Sequence, residues 1–245
     1  MPPKGAAAAS GRPGGVCQNR LMFTGIISGL GRITASRTLG SDASHGKQLT
    51  IEVPRGYLDD VQLGDSIALN GACMTVTTFD AAANRFTIDI SAESLDKTAG
   101  LAEPGPVNLE KAMRANDRLG GHMVSGHVDG IGRVTLLQRV GESWELRVRA
   151  PLELARFIAY KGSITVNGVS LTENRVIDPK PLFEQSGFGQ IGPDHGGCEL
   201  SINLIPHTLQ STTLGTLKAG AQVNLEIDLI ARYVERMLTA PAGAR

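Results

Sequence analysis

The chain contains one ten-residue pattern twice, as SIALNGACMT at Ser66–Thr75 and as SITVNGVSLT at Ser163–Thr172. Apolar residues alternate in each copy up to an Asn-Gly pair, which is the strongest short-range signal for a β-hairpin. One difference between the copies stands out, because the position of Cys73 in the first copy is held by Ser170 in the second. The stretch therefore predicts a repeated hairpin with one unequal polar side chain.

The rest of the chain repeats in the same order. The matching pairs of segments are Met22–Ile33 with Met123–Val134, Leu49–Pro54 with Leu146–Pro151, and Val107–Glu110 with Val223–Glu226. Such ordered matches indicate a tandem duplication with about 100 residues per unit, which suits a small domain better than a solenoid repeat.

Each unit shows several short apolar or alternating runs that predict β-strands. In the first unit they are Leu49–Val53, Ser66–Leu69, Met74–Phe79 and Phe86–Ile90. Roughly six short antiparallel strands in a unit of this size favour a small closed barrel, because closure removes exposed strand edges. The helical patterns that a doubly wound fold would need are missing between these runs.

The C-terminal segment predicts the one convincing helix. Asp228 is a candidate N-cap. The apolar residues that follow recur with helical spacing, at Leu229, Ile230, Tyr233, Val234, Met237 and Leu238. This apolar stripe must pack on its own barrel or on another chain, and we favour another chain.

Two segments are predicted to lie outside the barrels. Residues 1–21 are rich in Ala, Gly and Pro and lack the apolar core of a secretory signal, so we expect a disordered N-terminal extension. Pro179–Gly197 has no counterpart in the first unit and is expected to form a surface loop. The domains predicted between these segments are 22–121 and 122–228, with a helix and tail at 229–245.

Composition excludes several classes of function. Lys+Arg and Asp+Glu both number 24, and no basic run occurs, so no nucleic-acid partner is expected. No stretch approaches the roughly 18 consecutive apolar residues of a membrane span. The three cysteines are odd in number and match no zinc spacing, which favours a reducing, cytoplasmic compartment.

Two histidines lie at the junction between the repeats, in GGHMVSGH at 120–127. An odd spacing along a strand would put His122 and His127 on opposite faces, which is a purely structural alternative. A functional alternative has one imidazole facing a pocket as an acid or base near neutral pH. His127 stands where the first repeat has Ile26, so it breaks the internal symmetry.

The repeated hairpin also allows two interpretations. A single Asn-Gly turn is most often structural, and a lone Cys73 is more often a small buried residue than a nucleophile. In both copies, however, the unequal residue is followed two positions later by a threonine, Thr75 or Thr172, on the same strand face. Each unit could therefore present a polar pair to one pocket.

Six blocks of the sequence, in order, resemble the riboflavin synthase family of the alpha-chain type. They are Met22–Ile27, Asn70–Thr75, Gly120–Gly130, Tyr160–Val166, Gly168–Thr172 and Asn203–Leu209. The resemblance extends from Met22 to about Met237. It implies an all-β fold of two pseudo-symmetric six-stranded Greek-key barrels with a C-terminal helix. It also implies a cytoplasmic homotrimer held by those helices, and association with lumazine synthase.

The activity that the resemblance implies is a transferase reaction without metal or other cofactor. Two molecules of 6,7-dimethyl-8-ribityllumazine exchange a four-carbon unit to give riboflavin and 5-amino-6-ribitylamino-2,4(1H,3H)-pyrimidinedione. This is the last step of riboflavin biosynthesis. The alternative is a non-catalytic lumazine or flavin carrier, such as an antenna protein of the same fold.

The resemblance also implies site residues. The N-terminal barrel pocket would use Gly25, Ile26, Ile27, Cys73, Met74, Thr75, Asp89, Ile90, Ser91, Ala92, Glu93 and Ser94. The C-terminal barrel pocket would use Gly126, His127, Val128, Ser170, Leu171, Thr172, Asn203, Leu204, Ile205, Pro206, His207 and Thr208. Lys161 would reach into a neighbouring chain's site. The expected catalytic residues are Cys73, His127, Lys161, Ser170 and Thr172, which would assist deprotonation of the C7 methyl group and nucleophilic addition at C7.

The sequence departs from the family pattern at two points that bear on this site. Several family members carry Asp where this chain has Asn167, which weakens any scheme that needs a carboxylate beside Ser170. An ordered extension before Met22 could also crowd the pocket.

Overall fold

The computed structural model describes residues 22–42, 44–178 and 197–240. The predictions for residues 1–21 and, apart from Gly197, for the insertion lie outside the described residues. Within the described ranges the chain forms two closed antiparallel barrels of six strands each, as the repeats predicted. No described helix is long and apolar enough to cross a membrane.

The first barrel contains strands β1 to β6 and one short helix. In chain order these are β1 (Gly29–Thr38), β2 (Lys47–Glu52), β3 (Ser66–Leu69), β4 (Ala72–Asp80), β5 (Arg85–Ile90), α1 (Ala92–Asp96) and β6 (Gly105–Lys111). The strands close in the order β1-β2-β5-β4-β3-β6. The consecutive strands β3, β4 and β5, together with β2 beside β5, form a Greek key.

The second barrel repeats this arrangement. Its elements are β7 (Gly130–Val140), β8 (Ser143–Arg149), β9 (Ser163–Val166), β10 (Val169–Ile177), β11 (Glu199–Leu204), α2 (Pro206–Ser211), β12 (Gln222–Ile227) and the terminal α3 (Leu229–Thr239). Short 3₁₀ turns occur at Leu152–Phe157 and Thr213–Thr216. The closed order β10-β11-β8-β7-β12-β9 matches the first barrel strand for strand.

Each barrel has its own apolar core, built from alternate residues of its strands. Ile33, Leu49 and Phe86 are among the fully buried side chains of the first core, and Leu146, Ile164 and Leu225 of the second. The alternating apolar residues of the sequence therefore form the inward face of each barrel.

The terminal helix begins as predicted. The Asp228 side chain accepts a hydrogen bond from Ile230 N at 2.8 Å, which makes it the N-cap of α3. Ion pairs Arg232–Asp129 (2.6 Å) and Glu235–Arg156 (2.8 Å) attach the polar side of α3 to its own barrel. The apolar stripe consequently faces away from the barrel.

Candidate active site

The two repeated hairpins meet back to back at the centre of the molecule. The β3–β4 turn places Gly71 against Gly168 of the β9–β10 turn, and both glycines have positive φ, at 85° and 77°. A Cβ on Gly71 would lie 2.8 Å from Gly168 N, and a Cβ on Gly168 would lie 2.7 Å from Gly71 N. The Asn-Gly pairs therefore make the predicted hairpins and also permit the contact between the barrels.

Four buried asparagines join the hairpins across an internal pseudo-twofold. Asn108 donates from Nδ2 to Asn167 O, and Asn224 donates from Nδ2 to Asn70 O, both at 2.9 Å. Asn70 and Asn167 in turn accept, through their side-chain oxygens, the backbone N–H groups of Asn108 and Asn224. Buried amides satisfied in this way fix the orientation of one barrel relative to the other.

The segments that precede β1 and β7 pair with each other and then cross to the opposite barrel. Phe23 and Val124 exchange backbone hydrogen bonds of 2.7 and 3.1 Å. Gly25 O accepts a 2.8 Å hydrogen bond from Ser170 N in the second barrel, and Gly126 O accepts a 2.8 Å bond from Cys73 N in the first. The leading segment of each repeat thus packs against the barrel of the other repeat.

The expected assignment of these segments to barrels was wrong. Gly25, Ile26 and Ile27 were predicted beside Cys73, but Ile27 packs on the core of the second barrel. Gly126, His127 and Val128 were predicted beside Ser170, but Val128 packs on the core of the first. The repeats alone cannot reveal this exchange, because both arrangements give the same internal sequence symmetry.

This exchange forms two candidate half-sites, one at the equivalent end of each barrel. The N-barrel half-site joins the start of β4, the end of β5 with α1, and the segment Gly126–Val128. The C-barrel half-site joins the start of β10, the end of β11 with α2, and the segment Gly25–Ile27. The register brings the strand ends together, since Val76 pairs with Ile88 and Glu173 with Ile202.

In the N-barrel half-site, Cys73 is half-buried and His127 is exposed. Burial raises the pKa of the Cys73 thiol, and the negative charge of Glu226 adds to this, while a hydrogen bond with Ser66 opposes it. Cys73 is therefore a neutral thiol near neutral pH, suited to donating a hydrogen bond rather than to acting as a thiolate. Ser66 was not among the predicted site residues.

In the C-barrel half-site, Ser170 Oγ lies 2.8 Å from His122 Nδ1. Burial lowers the pKa of His122, with the charge of Asp228 opposing, so the imidazole is neutral near neutral pH. In the tautomer that carries no hydrogen on Nδ1, the imidazole accepts a hydrogen bond from the Ser170 hydroxyl. His122 Nε2 is buried without a hydrogen-bond partner among the described residues.

The His122–Ser170 pair was missed by the sequence reasoning, which favoured His127. The tight packing around Gly121 explains why His122 is held beside Ser170. A Cβ on Gly121 would lie 2.1 Å from Thr24 O and 2.8 Å from Ser170 Oγ. The glycine pair before His122 was therefore the available signal for a close approach to another segment.

Several predicted site residues direct their side chains into the barrel cores. Met74, Ile90 and Leu204 are 8%, 2% and 1% exposed. These three could meet a ligand only through their main-chain groups. The predicted residues with exposed side chains are Ile26, Thr75, Asp89, Ser91, Glu93, His127, Lys161, Thr172, Asn203, Ile205, Pro206 and His207.

Lys161 lies outside both half-sites of its own chain. It has a positive φ of 63°, and its Nζ donates to Asn174 Oδ1 at 2.9 Å and lies 5.4 Å from the Tyr160 ring centroid. Tyr160 is 68% exposed. This cation and its neighbouring ring project from the surface.

Two clefts lie near the half-sites without coinciding with them. One, of about 670 Å³, runs between the first barrel and the segment 112–120 that leads to the second repeat, and Ile26 is its only lining residue from the predicted set. The other, of about 470 Å³, lies behind α1 and includes Ala92 from that set.

Comparison with known proteins identifies the family. The lumazine binding domain family matches residues 24–112 and 125–228. Riboflavin synthase from Actinobacillus pleuropneumoniae is 41% identical over 219 residues, covering 89% of this chain and 90% of the relative. Riboflavin synthase from Mycobacterium tuberculosis (strain ATCC 25618 / H37Rv) is 40% identical over 220 residues, covering 89% and 98%.

Among solved structures, LumP complexed with riboflavin superposes with a TM-score of 0.66 at 24% identity, covering 84% of this chain and 98% of LumP. This likeness shows a shared fold. The tandem match and the identity over nearly the whole length together show that the chain belongs to the riboflavin synthase family of lumazine-binding double barrels.

Proposed function

We propose that the chain is a riboflavin synthase. It converts two molecules of 6,7-dimethyl-8-ribityllumazine into riboflavin and 5-amino-6-ribitylamino-2,4(1H,3H)-pyrimidinedione by transfer of a four-carbon unit. The observation that carries this proposal is the 39–41% identity to curated riboflavin synthases over 89% of the chain.

The two half-sites support a reaction between two copies of one substrate. Such a reaction needs two similar pockets, and their inequality lets one copy donate the four-carbon unit while the other accepts it. We propose that the N-barrel half-site of one chain faces the C-barrel half-site of a neighbour, with Lys161 reaching across. Holding both molecules in a reactive geometry would supply much of the rate acceleration.

The polar side chains divide the proton transfers between the half-sites. Formation of the new bond requires loss of a proton from the C7 methyl group of one lumazine and addition of a nucleophile at C7 of the other. Ser170 with His122 provides a hydroxyl whose proton can leave to a neutral imidazole. Cys73 and His127 provide a neutral thiol and an exposed imidazole in the other half-site, and Thr172 completes the polar edge beside Ser170.

Turnover of the lumazine alone tests the proposed function. We expect the wild-type protein to form riboflavin from 6,7-dimethyl-8-ribityllumazine without any second substrate, followed by the absorbance of riboflavin. Tight binding of the lumazine without product would refute the enzyme and support the carrier alternative instead.

A homotrimer held by α3 is the proposed assembly. Five apolar side chains on one face of α3 are 48–78% exposed, namely Ile230, Tyr233, Val234, Met237 and Leu238. Because ion pairs attach the opposite face to the chain's own barrel, this stripe is free to pack on other copies of the same helix.

Charges in the stripe should dissociate the assembly. We expect Met237→Glu with Leu238→Glu to convert the trimer to monomers, because burying two carboxylates in an apolar interface is costly. Arg236→Glu, outside the stripe on the same helix, is the matched control and should keep the trimer. Size-exclusion chromatography with light scattering measures both, and a monomeric wild type or a trimeric double variant would contradict the proposal.

Two further features of the family remain predictions. Association with lumazine synthase is one, and a cytoplasmic location is the other. Both described cysteines, Cys73 and Cys198, are free thiols, which suits a reducing compartment.

A further inference from the structure

Two buried glutamates occupy equivalent positions in the two barrels. Glu110 lies on β6 and is 6% exposed, and Glu226 lies on β12 and is 3% exposed. They end the repeated motifs VNLE at Val107–Glu110 and Val223–Glu226. Neither carboxylate forms an ion pair with a described residue, so another role must explain why these groups are buried.

Both carboxylates accept the same set of three hydrogen bonds from a leading segment. Glu110 Oε1 accepts from Thr24 N and Thr24 Oγ1, each at 2.7 Å, and Oε2 accepts from Gly25 N at 3.0 Å. Glu226 Oε1 accepts from Ser125 N and Ser125 Oγ, each at 2.7 Å, and Oε2 accepts from Gly126 N at 3.0 Å. Each glutamate therefore forms a three-donor clamp on one segment.

The clamps act where the segments cross to the opposite barrel. The residue that follows each clamped glycine belongs to a half-site. Ile26 follows Gly25, and His127 follows Gly126. In the opposite barrel, the Ser170 N–H donates a hydrogen bond to Gly25 O, and the Cys73 N–H donates one to Gly126 O. Each clamp thus connects a strand of one barrel to the half-site of the other.

A carboxylate is the one common side chain that fits three converging donors. Glutamine has the same length, but its NH₂ group would replace one carboxylate oxygen. That group would face either the glycine N–H or the two donors of the preceding residue, so at least one hydrogen bond would be lost. Burial raises the pKa of both carboxyls while the hydrogen bonds oppose the rise.

We propose that Glu110 and Glu226 are positioning residues, and that each one assembles the half-site of the opposite barrel. Glu226 places Gly126–Val128 against Cys73, and Glu110 places Gly25–Ile27 against Ser170. Loss of one clamp dismantles one half-site and leaves the other intact. This inference rests on the proposed function only in taking both half-sites to bind lumazine or riboflavin.

The test counts ligand sites in Glu110→Gln and Glu226→Gln by equilibrium titration with riboflavin. Wild type should bind two ligands per chain, and each variant should keep one site and weaken the other at least tenfold. Alkylation of Cys73, read by peptide mass mapping, tells which site remains. Ligand should still protect Cys73 in Glu110→Gln and no longer protect it in Glu226→Gln.

Milder variants and a control keep the test decisive if a glutamine variant misfolds. Thr24→Val and Ser125→Ala each remove only the hydroxyl donor and should weaken the same half-site as the corresponding glutamate variant. Glu52→Gln, an exposed carboxylate on β2, should keep both sites. Two intact sites in both glutamine variants, or equal losses from both half-sites in each, would overturn the proposal. A wild type that binds no ligand would instead refute the proposed function.

Discussion

His122→Ala and Ser170→Ala should each lower kcat about 100-fold, with little change in lumazine binding. The 2.8 Å contact between His122 Nδ1 and Ser170 Oγ makes the two side chains one proton-transfer unit, and general acid–base groups typically contribute factors of 10² to 10⁴. Because the residues act together, the double variant should be no slower than either single variant.

Steady-state kinetics and lumazine titration of the four proteins measure this effect. His45→Ala removes an exposed histidine that pairs with Asp42 on a distant loop, and it should keep wild-type kinetics. Multiplicative losses in the double variant, or a His122→Ala variant with normal kcat, would show that the contact has no role in proton transfer.

Glu173→Val should stabilise the protein by about 2 kcal/mol at pH 8 and by much less at pH 5, because a buried polar group without a hydrogen-bond partner typically costs about 1–3 kcal/mol, and more when it is charged. Glu173 is 1% exposed, its Oε2 has no hydrogen-bond partner among the described residues, and burial raises its pKa from 4.5 to about 7. The unfolded chain therefore releases this proton at lower pH than the folded chain. The contribution of Glu173 to the free energy of unfolding is fully present below about pH 4.5 and is lost as the pH rises to about 7.

The second barrel carries this carboxyl where the first carries a valine. Val76 and Glu173 make the same backbone hydrogen bonds, to Asp65 and Gly64 in one barrel and to Gly162 and Lys161 in the other. Valine is thus already accommodated at the equivalent position.

Urea unfolding of wild type, Glu173→Val and Glu173→Gln at pH 5 and pH 8 measures the difference. Both variants should lose the decrease in stability that wild type shows between the two pH values. Glu142→Gln, an exposed carboxyl in the β7–β8 turn, should behave like wild type. An unchanged pH dependence in both Glu173 variants would contradict the assignment.

The fold could be predicted in detail because the duplication doubles each signal. Ser66–Leu69 was predicted as a strand with the bounds that β3 has, and the runs at Leu49–Val53 and Phe86–Ile90 fall within two residues of β2 and β5. The Asp228 cap and the apolar stripe fixed the terminal helix in the same way. These features depend on local periodicity, which a sequence carries directly.

The arrangement of the half-sites could not be predicted, because it depends on contacts between the repeats. The exchange of Gly25–Ile27 with Gly126–Val128 follows from the Phe23–Val124 pairing and the two glutamate clamps, and neither leaves a local pattern. His122 was overlooked for a related reason, since its partner Ser170 lies 48 residues away. The replacement of Val76 by Glu173 is visible at the repeat offset, but its burial becomes evident only in the barrel.

The proposed reaction joins two copies of one substrate in two unequal half-sites. Quantitative chromatography after incubation with 6,7-dimethyl-8-ribityllumazine alone tests it most directly. We expect two lumazine molecules to disappear for each riboflavin and each pyrimidinedione formed. Riboflavin without an equal amount of the pyrimidinedione, or no riboflavin despite saturating lumazine, would contradict it.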